Sequence, residues 1–128
     1  MNSDLKNAAY IIIAHGSKAP KSNDAFMQFL KKFQKAYPHR KVYGAYLDVI
    51  KPTIPETIQK SIENGAREIF ILPLLFFPGK HVADDIPAMI EKAKADHPEV
   101  DFHYAGPLCD DPKMLGMLDQ RLKDMQSA

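Results

Sequence analysis

The chain has 128 residues, 45% hydrophobic and 26% charged, so folding can bury about two-thirds of the surface its extended form exposes, enough for a single core. Seventeen basic and sixteen acidic side chains leave a net charge of +1, which argues against a protein that grips a nucleic-acid backbone by bulk electrostatics. The longest apolar runs, 8–14 and 69–77, fall far short of the roughly 20 residues of a membrane-spanning helix. The polar amino terminus lacks the apolar stretch of a signal peptide, and the lone Cys109 cannot form an internal disulfide. One cytoplasmic domain spanning residues 1–128 is expected.

No internal repeat or Gly/Ser-rich linker divides the chain. Residues 8–14 form a continuous apolar run, β-branched in the middle, as expected of a strand covered on both faces. A polar loop over 15–23 follows. Phe26, Phe29, Leu30, Phe33 and Tyr37 then recur at intervals of three and four, which predicts a helix from about Ser22 to before Pro38. A second strand is expected over 41–47. Thr53-Ile-Pro-Glu56 places a hydroxyl three residues before a carboxylate, with Pro55 in the first turn, so a second helix starts there and stops at Asn64-Gly65. A third strand covers 69–75, and Asp84 or Asp85 is the expected cap of a third helix bearing Ile86, Met89, Ile90 and Ala93. A short fourth strand spans 100–105. Asp111-Pro112 opens a last helix presenting Leu115, Leu118, Leu122 and Met125 on one stripe. Four consecutive strand-helix units predict an α/β fold: a four-stranded parallel sheet, order 2-1-3-4, with helices on both faces.

In such a sheet the strand-to-helix loops emerge together at the carboxyl edge, and ligands bind where the strand order reverses. His15 follows the first strand, Asp48 the second and His81 the third. Taken singly, each has an ordinary explanation, the histidines as surface or capping residues and Asp48 as an acceptor for loop N–H groups. Their agreement on one edge makes them candidates for one site. His39, His97 and His103 fall at two helix exits and inside a strand, where a structural role suffices. Phe76 and Phe77 continue from a strand into a loop, as a core cap or as an apolar wall for a flat ligand. Lys18, Lys21, Lys51 and Lys80 lie in the same loops and give a near-neutral protein a locally positive rim suited to a polycarboxylate. Cys109 is read as a small buried side chain.

His15-Gly-Ser17, Pro52-Thr-Ile54 and the segment from Leu72 to Pro87, containing Phe-Phe-Pro-Gly-Lys-His and Asp-Asp-Ile-Pro, resemble the small CbiX-type sirohydrochlorin chelatases, relatives of the SirB ferrochelatase. The resemblance covers nearly the whole chain, through Gly106-Pro-Leu and the last helix. It implies a chelatase or flavodoxin-like three-layer sandwich and a lyase that inserts a divalent metal into sirohydrochlorin, in cobalamin or siroheme biosynthesis. It further implies that His15 and His81 bind the metal and assist its insertion, with Asp48 standing where the family often has Glu. A carboxylate shorter by one methylene suits proton acceptance or a water-mediated contact. Ser17, Lys18, Lys21, Lys51, Phe76, Phe77, Gly79 and Lys80 are the expected substrate contacts. Larger relatives hold two similar halves in one chain, so a chain of this length implies a homodimer.

Insertion requires shedding water from M²⁺ and removing two protons from pyrrole nitrogens. Two neutral imidazoles suit Co²⁺, Fe²⁺ or Ni²⁺ and leave coordination positions open, whereas a full cage would trap the ion. Imidazole titrates near neutral pH, so a displaced ligand can accept a pyrrole proton. No Gly-x-x-x-x-Gly-Lys-Ser/Thr loop is present, so no nucleotide is expected. Cobalt is the expected ion, with iron or nickel as alternatives, and no nucleic-acid or membrane partner is expected. A non-catalytic metal or tetrapyrrole carrier would need the same ligands. A phosphohistidine enzyme would need a phosphate clamp where Ala14 stands.

Overall fold

A computed structural model describes residues 7–47, 50–75, 77, 79–106 and 108–127, apart from the side chains of 80–83 and 110. The elements run β1 (Ala8–Ala14), α1 (Pro20–Ala36), β2 (Val42–Tyr46), α2 (Ile54–Glu63), β3 (Glu68–Pro73), α3 (Lys80–Asp96), β4 (Asp101–Tyr104) and α4 (Pro112–Gln126), with a 3-10 turn at Leu108–Asp110. The strands form one parallel sheet in the order β2-β1-β3-β4, the arrangement expected from the sequence.

Side-chain alternation along β1 assigns the two faces. Ile11 and Ile13, with Ala45, Ile69 and Ile71, pack against Ile54 and Ile58 of α2 and Ile86 and Ile90 of α3 in one buried cluster. Ile12 and Tyr46 point to the other face, where they meet Phe26 and Leu30 of α1. Tyr46 and Phe26 meet edge to face at 5.5 Å. The Thr57 hydroxyl donates to the Gly44 carbonyl at 3.2 Å and the Ser61 hydroxyl to Ile58 O at 2.8 Å, so the two buried polar groups on α2 are satisfied.

The start of α2 follows the sequence signal. The Glu56 N–H donates to Thr53 Oγ1 at 3.3 Å and the Thr53 N–H to Glu56 Oε1 at 2.9 Å, a complete capping box. The helix stops at Asn64, and Gly65 takes φ +102°, a backbone conformation that a Cβ disfavours.

The start of α3 differs from expectation. It begins at Lys80 with Gly79 as its cap, so Asp84 and Asp85 lie in its second turn, and Pro87 is accommodated inside the helix. The fixed φ of Pro87 is compatible with the interior of a helix when one backbone bond is given up. His81 therefore stands in the first turn of a helix and not in a loop.

The apolar spacing of α4 correctly marks a helix, but no residue of it is buried. Leu115, Leu118, Leu122 and Met125 are 52 to 66% exposed. Phe29 and Tyr37 of the α1 stripe are also largely exposed. Cys109 is half-buried in the 3-10 turn, and not fully buried as expected.

Candidate functional site

The strand order reverses between the neighbouring strands β1 and β3, with β2 on the far side of β1. Two hydrogen bonds tie the three strand ends together there. The Ala14 carbonyl accepts from the Leu47 N–H at 2.9 Å, and the Ile13 carbonyl accepts from the Leu74 N–H at 2.7 Å. His15 leaves the sheet at this point, between the exits of β2 and β3. Its imidazole is exposed, with Nδ1 3.5 Å from the Gly16 carbonyl, a separation that leaves both ring nitrogens available for stronger partners. Gly16 has φ +93°, which turns the chain abruptly away from the sheet.

The loop after His15 is held by its own side chains. The Ser17 N–H donates to Asn23 Oδ1 at 3.2 Å, Asn23 Nδ2 donates to Ser17 O at 2.7 Å, and the Ala19 N–H donates to Ser17 Oγ at 3.0 Å. Asn23, on α1, clasps the loop and fixes where β1 hands over to the helix. Sequence reasoning missed it, although an amide six residues after a Gly-Ser turn is a recognisable signal for a loop clasp. Ser17 is thus committed to the loop through three of its polar groups. Lys18 and Lys21 are exposed beside it.

The second loop is closed at its base, where the Tyr46 N–H donates to Pro52 O at 2.9 Å and Tyr46 bridges to Thr53. Burial, helped by the negative charge of Asp24, pushes the Tyr46 phenol up from its ordinary value, so it stays a neutral hydroxyl beneath this edge. Asp48 lies outside the described residues. Lys51 is 84% exposed, with Nζ 3.7 Å from Glu56 Oε2.

From β3 the chain needs only residues 74–79 to reach α3. Because β1 and β3 are paired neighbours, about 4.8 Å apart, the first turn of α3 that carries His81 rises from the strand adjacent to the one that ends at His15. Gly79 caps the helix, and Phe77 is 87% exposed. Phe76 lies outside the described residues, as do the side chains of Lys80 and His81. The backbone thus brings His15, Gly79 and the positions of Lys80 and His81 to one edge of two paired strands.

His103 sits in β4, where Nε2 is 2.9 Å from Glu68 Oε2 and its ring stacks on Phe70 at 4.5 Å. These contacts account for it structurally, as expected. His97 is the C-cap residue of α3.

Residues 9–125 match the CbiX family model. The chain belongs to the CbiX family. Among its relatives, a sirohydrochlorin cobaltochelatase of Sulfurisphaera tokodaii is 30% identical over 115 residues, a match covering 90% of this chain and 91% of that protein. A sirohydrochlorin ferrochelatase of Priestia megaterium is 30% identical over 116 residues, covering 91% of this chain. This chain spans only 44% of the length of that ferrochelatase. The crystal structure of the sirohydrochlorin chelatase SirB from Bacillus subtilis subspecies spizizenii in complex with cobalt superposes with a TM-score of 0.79 at 25% identity, over 92% of this chain and 50% of the SirB chain.

Proposed function

We propose that the protein is a sirohydrochlorin chelatase, a lyase that inserts a divalent metal into the tetrapyrrole without nucleotide, in cobalamin or siroheme formation. Cobalt is the first candidate ion and iron or nickel the alternatives. The observation that supports this most directly is the placement of His15 at the end of β1 beside the first turn of α3 that carries His81, in a chain of the CbiX family.

In this reading His15 and His81 hold the incoming ion through two neutral imidazoles, leaving positions for water and for pyrrole nitrogens. As bonds to the macrocycle form, two N–H protons must leave. The imidazoles released from the metal accept them, with Asp48 as an additional base, and pass them to solvent. The near-perimeter lysines, Lys18, Lys21, Lys51 and Lys80, attract the carboxylates of the substrate, Lys51 least because Glu56 shares its charge. Phe76 and Phe77 flank the ring, and the backbone at Ser17 and Gly79 shapes the rim. A disc-shaped substrate needs a second wall, which a homodimer in the cytoplasm supplies from the partner subunit.

The test is insertion of Co²⁺ into sirohydrochlorin by substoichiometric protein, followed by absorbance. Repeated turnovers are expected from the wild type, with most of the rate lost in His15→Ala and in His81→Ala while far-ultraviolet circular dichroism stays unchanged. A single stoichiometric burst would mark a carrier, and undiminished turnover in the double variant would overturn the assignment of both residues.

A further inference from the structure

A histidine that binds a metal through one ring nitrogen is normally oriented by a hydrogen bond at the other, and loss of that partner typically lowers metal affinity about 10–100-fold. His15 has no such partner among the described residues. Its one polar neighbour is the Gly16 carbonyl, 3.5 Å from Nδ1, too long for a firm hydrogen bond and too near in the chain to hold the ring against movement of its own backbone. Gly16 itself, at φ +93°, is the residue type with the greatest backbone freedom. The direction of the imidazole therefore depends on what restrains the chain on either side of these two residues.

On one side the restraint is the sheet, through the Leu47 N–H donating to Ala14 O at 2.9 Å. On the other it is Asn23. This side chain, half-buried in the first turn of α1, reaches back to Ser17, where Oδ1 accepts the Ser17 N–H at 3.2 Å and Nδ2 donates to Ser17 O at 2.7 Å. One amide thus holds both backbone polar groups of Ser17, and only Gly16 separates that hold from His15. The base of the hold is firm, because Phe26, one turn further along α1, is buried with Leu30 against Ile12 and Tyr46.

The contact requires an amide. Ser17 presents a donor and an acceptor to the same side chain, and Asn answers both at once, whereas a carboxylate can only accept and alanine can do neither.

We infer that Asn23 is a positioning residue for the metal site: by pinning Ser17 to α1 it supplies the orientation that the His15 imidazole lacks a hydrogen bond to provide. This rests on the reading of His15 as a metal ligand given above. Asn23 serves one ligand of the two, since the backbone at His81 is carried by the first turn of α3.

The test uses the full-length chain and Co²⁺ alone, in calorimetric titrations of the wild type, Asn23→Ala, Asn23→Asp and His15→Ala. Asn23→Asp keeps the side-chain shape and the acceptor for the Ser17 N–H but turns a second acceptor on the Ser17 carbonyl. Both Asn23 variants are expected to bind Co²⁺ about 10–100-fold more weakly with far-ultraviolet circular dichroism unchanged. Proton NMR of the Co²⁺-loaded proteins gives the readout that a general loosening would not reproduce. Each bound imidazole contributes its own hyperfine-shifted ring signals, assigned with His15→Ala and His81→Ala, and Asn23→Ala is expected to shift or broaden the His15 set while the His81 set stays in place. Wild-type affinity in both Asn23 variants, equal disturbance of both sets, or loss of the circular dichroism signal in both variants would overturn the inference. Failure of the underlying reading looks different: Co²⁺ affinity unchanged in His15→Ala removes His15 as a ligand, whereas affinity lost there and kept in both Asn23 variants sinks only the role of Asn23.

Discussion

The two faces of the sheet are finished to different degrees. On one, α2 and α3 close over Ile11, Ile13, Ile69 and Ile71, each at most 1% exposed. On the other, α1 covers Ile12 and Tyr46, while Tyr10, Phe70 and Leu72 line an open groove. Strand β3 carries both conditions, alternating between half-buried and buried residues along Glu68–Pro73. The first face is closed by its two helices, and the second is left open beside α1 among the described residues. The edge that carries His15 and the first turn of α3 is common to both: α3 packs on the closed face, and Asn23 of α1, on the other, holds the loop after His15.

The largest stability effect separates the faces. Ile71→Ala removes a side chain from the closed core and is expected to cost about 2–5 kcal/mol of unfolding free energy. Leu72→Ala, one residue on and facing the groove, is expected to cost less, because that side chain is only half-buried and its removal leaves no closed cavity. Denaturant unfolding of both variants checks this, and equal costs would remove the distinction.

Next comes the covered half of the second face. Gly44 lies where α1 packs most closely on β2: a Cβ there would collide with Leu30 Cδ1 and sit 3.2 Å from Phe26 Cε2. Gly44→Ala is expected to destabilise by about 1–3 kcal/mol, the range for overpacking, and a neutral result would show that α1 is as loosely held as the groove beside it.

The smallest effect is electrostatic and belongs to α2. The hydrogen bond from the Thr53 N–H, aided by the Thr53 hydroxyl and the Lys51 charge and opposed by slight desolvation, holds the Glu56 carboxyl below its ordinary range. A carboxyl more acidic in the folded than in the unfolded state stabilises the fold above its unfolded pKa, and that contribution is lost as pH falls through the folded value. The gap in thermal midpoint between wild type and Glu56→Gln is therefore expected to be greatest near neutrality and to close below about pH 4.3. A gap independent of pH would mean that the box does not act through the charge.

Much of the molecule was legible in the sequence because local signals and global packing agree. The apolar run of β1, the Thr53–Glu56 box and the Asn64-Gly65 stop each match the structure. The start of α3 was not legible: Asp84 and Asp85 imitate a helix cap, while the actual cap, Gly79, offers no side-chain signal. Nor could the stripe of α4 reveal which surface it serves, since periodicity identifies an apolar face and not its partner. At the site, the alignment of His15 with the position of His81 on one edge followed from strand order alone, but the Asn23 clasp that fixes the intervening loop depends on a turn whose closure only the fold supplies.

The claim on which the function turns is that His15 and His81 share one divalent ion. X-ray absorption at the cobalt edge of the Co²⁺-loaded protein measures this most directly. Two imidazole ligands are expected in the wild type and one fewer in each of His15→Ala and His81→Ala. An unchanged imidazole count in either single variant would contradict the shared site.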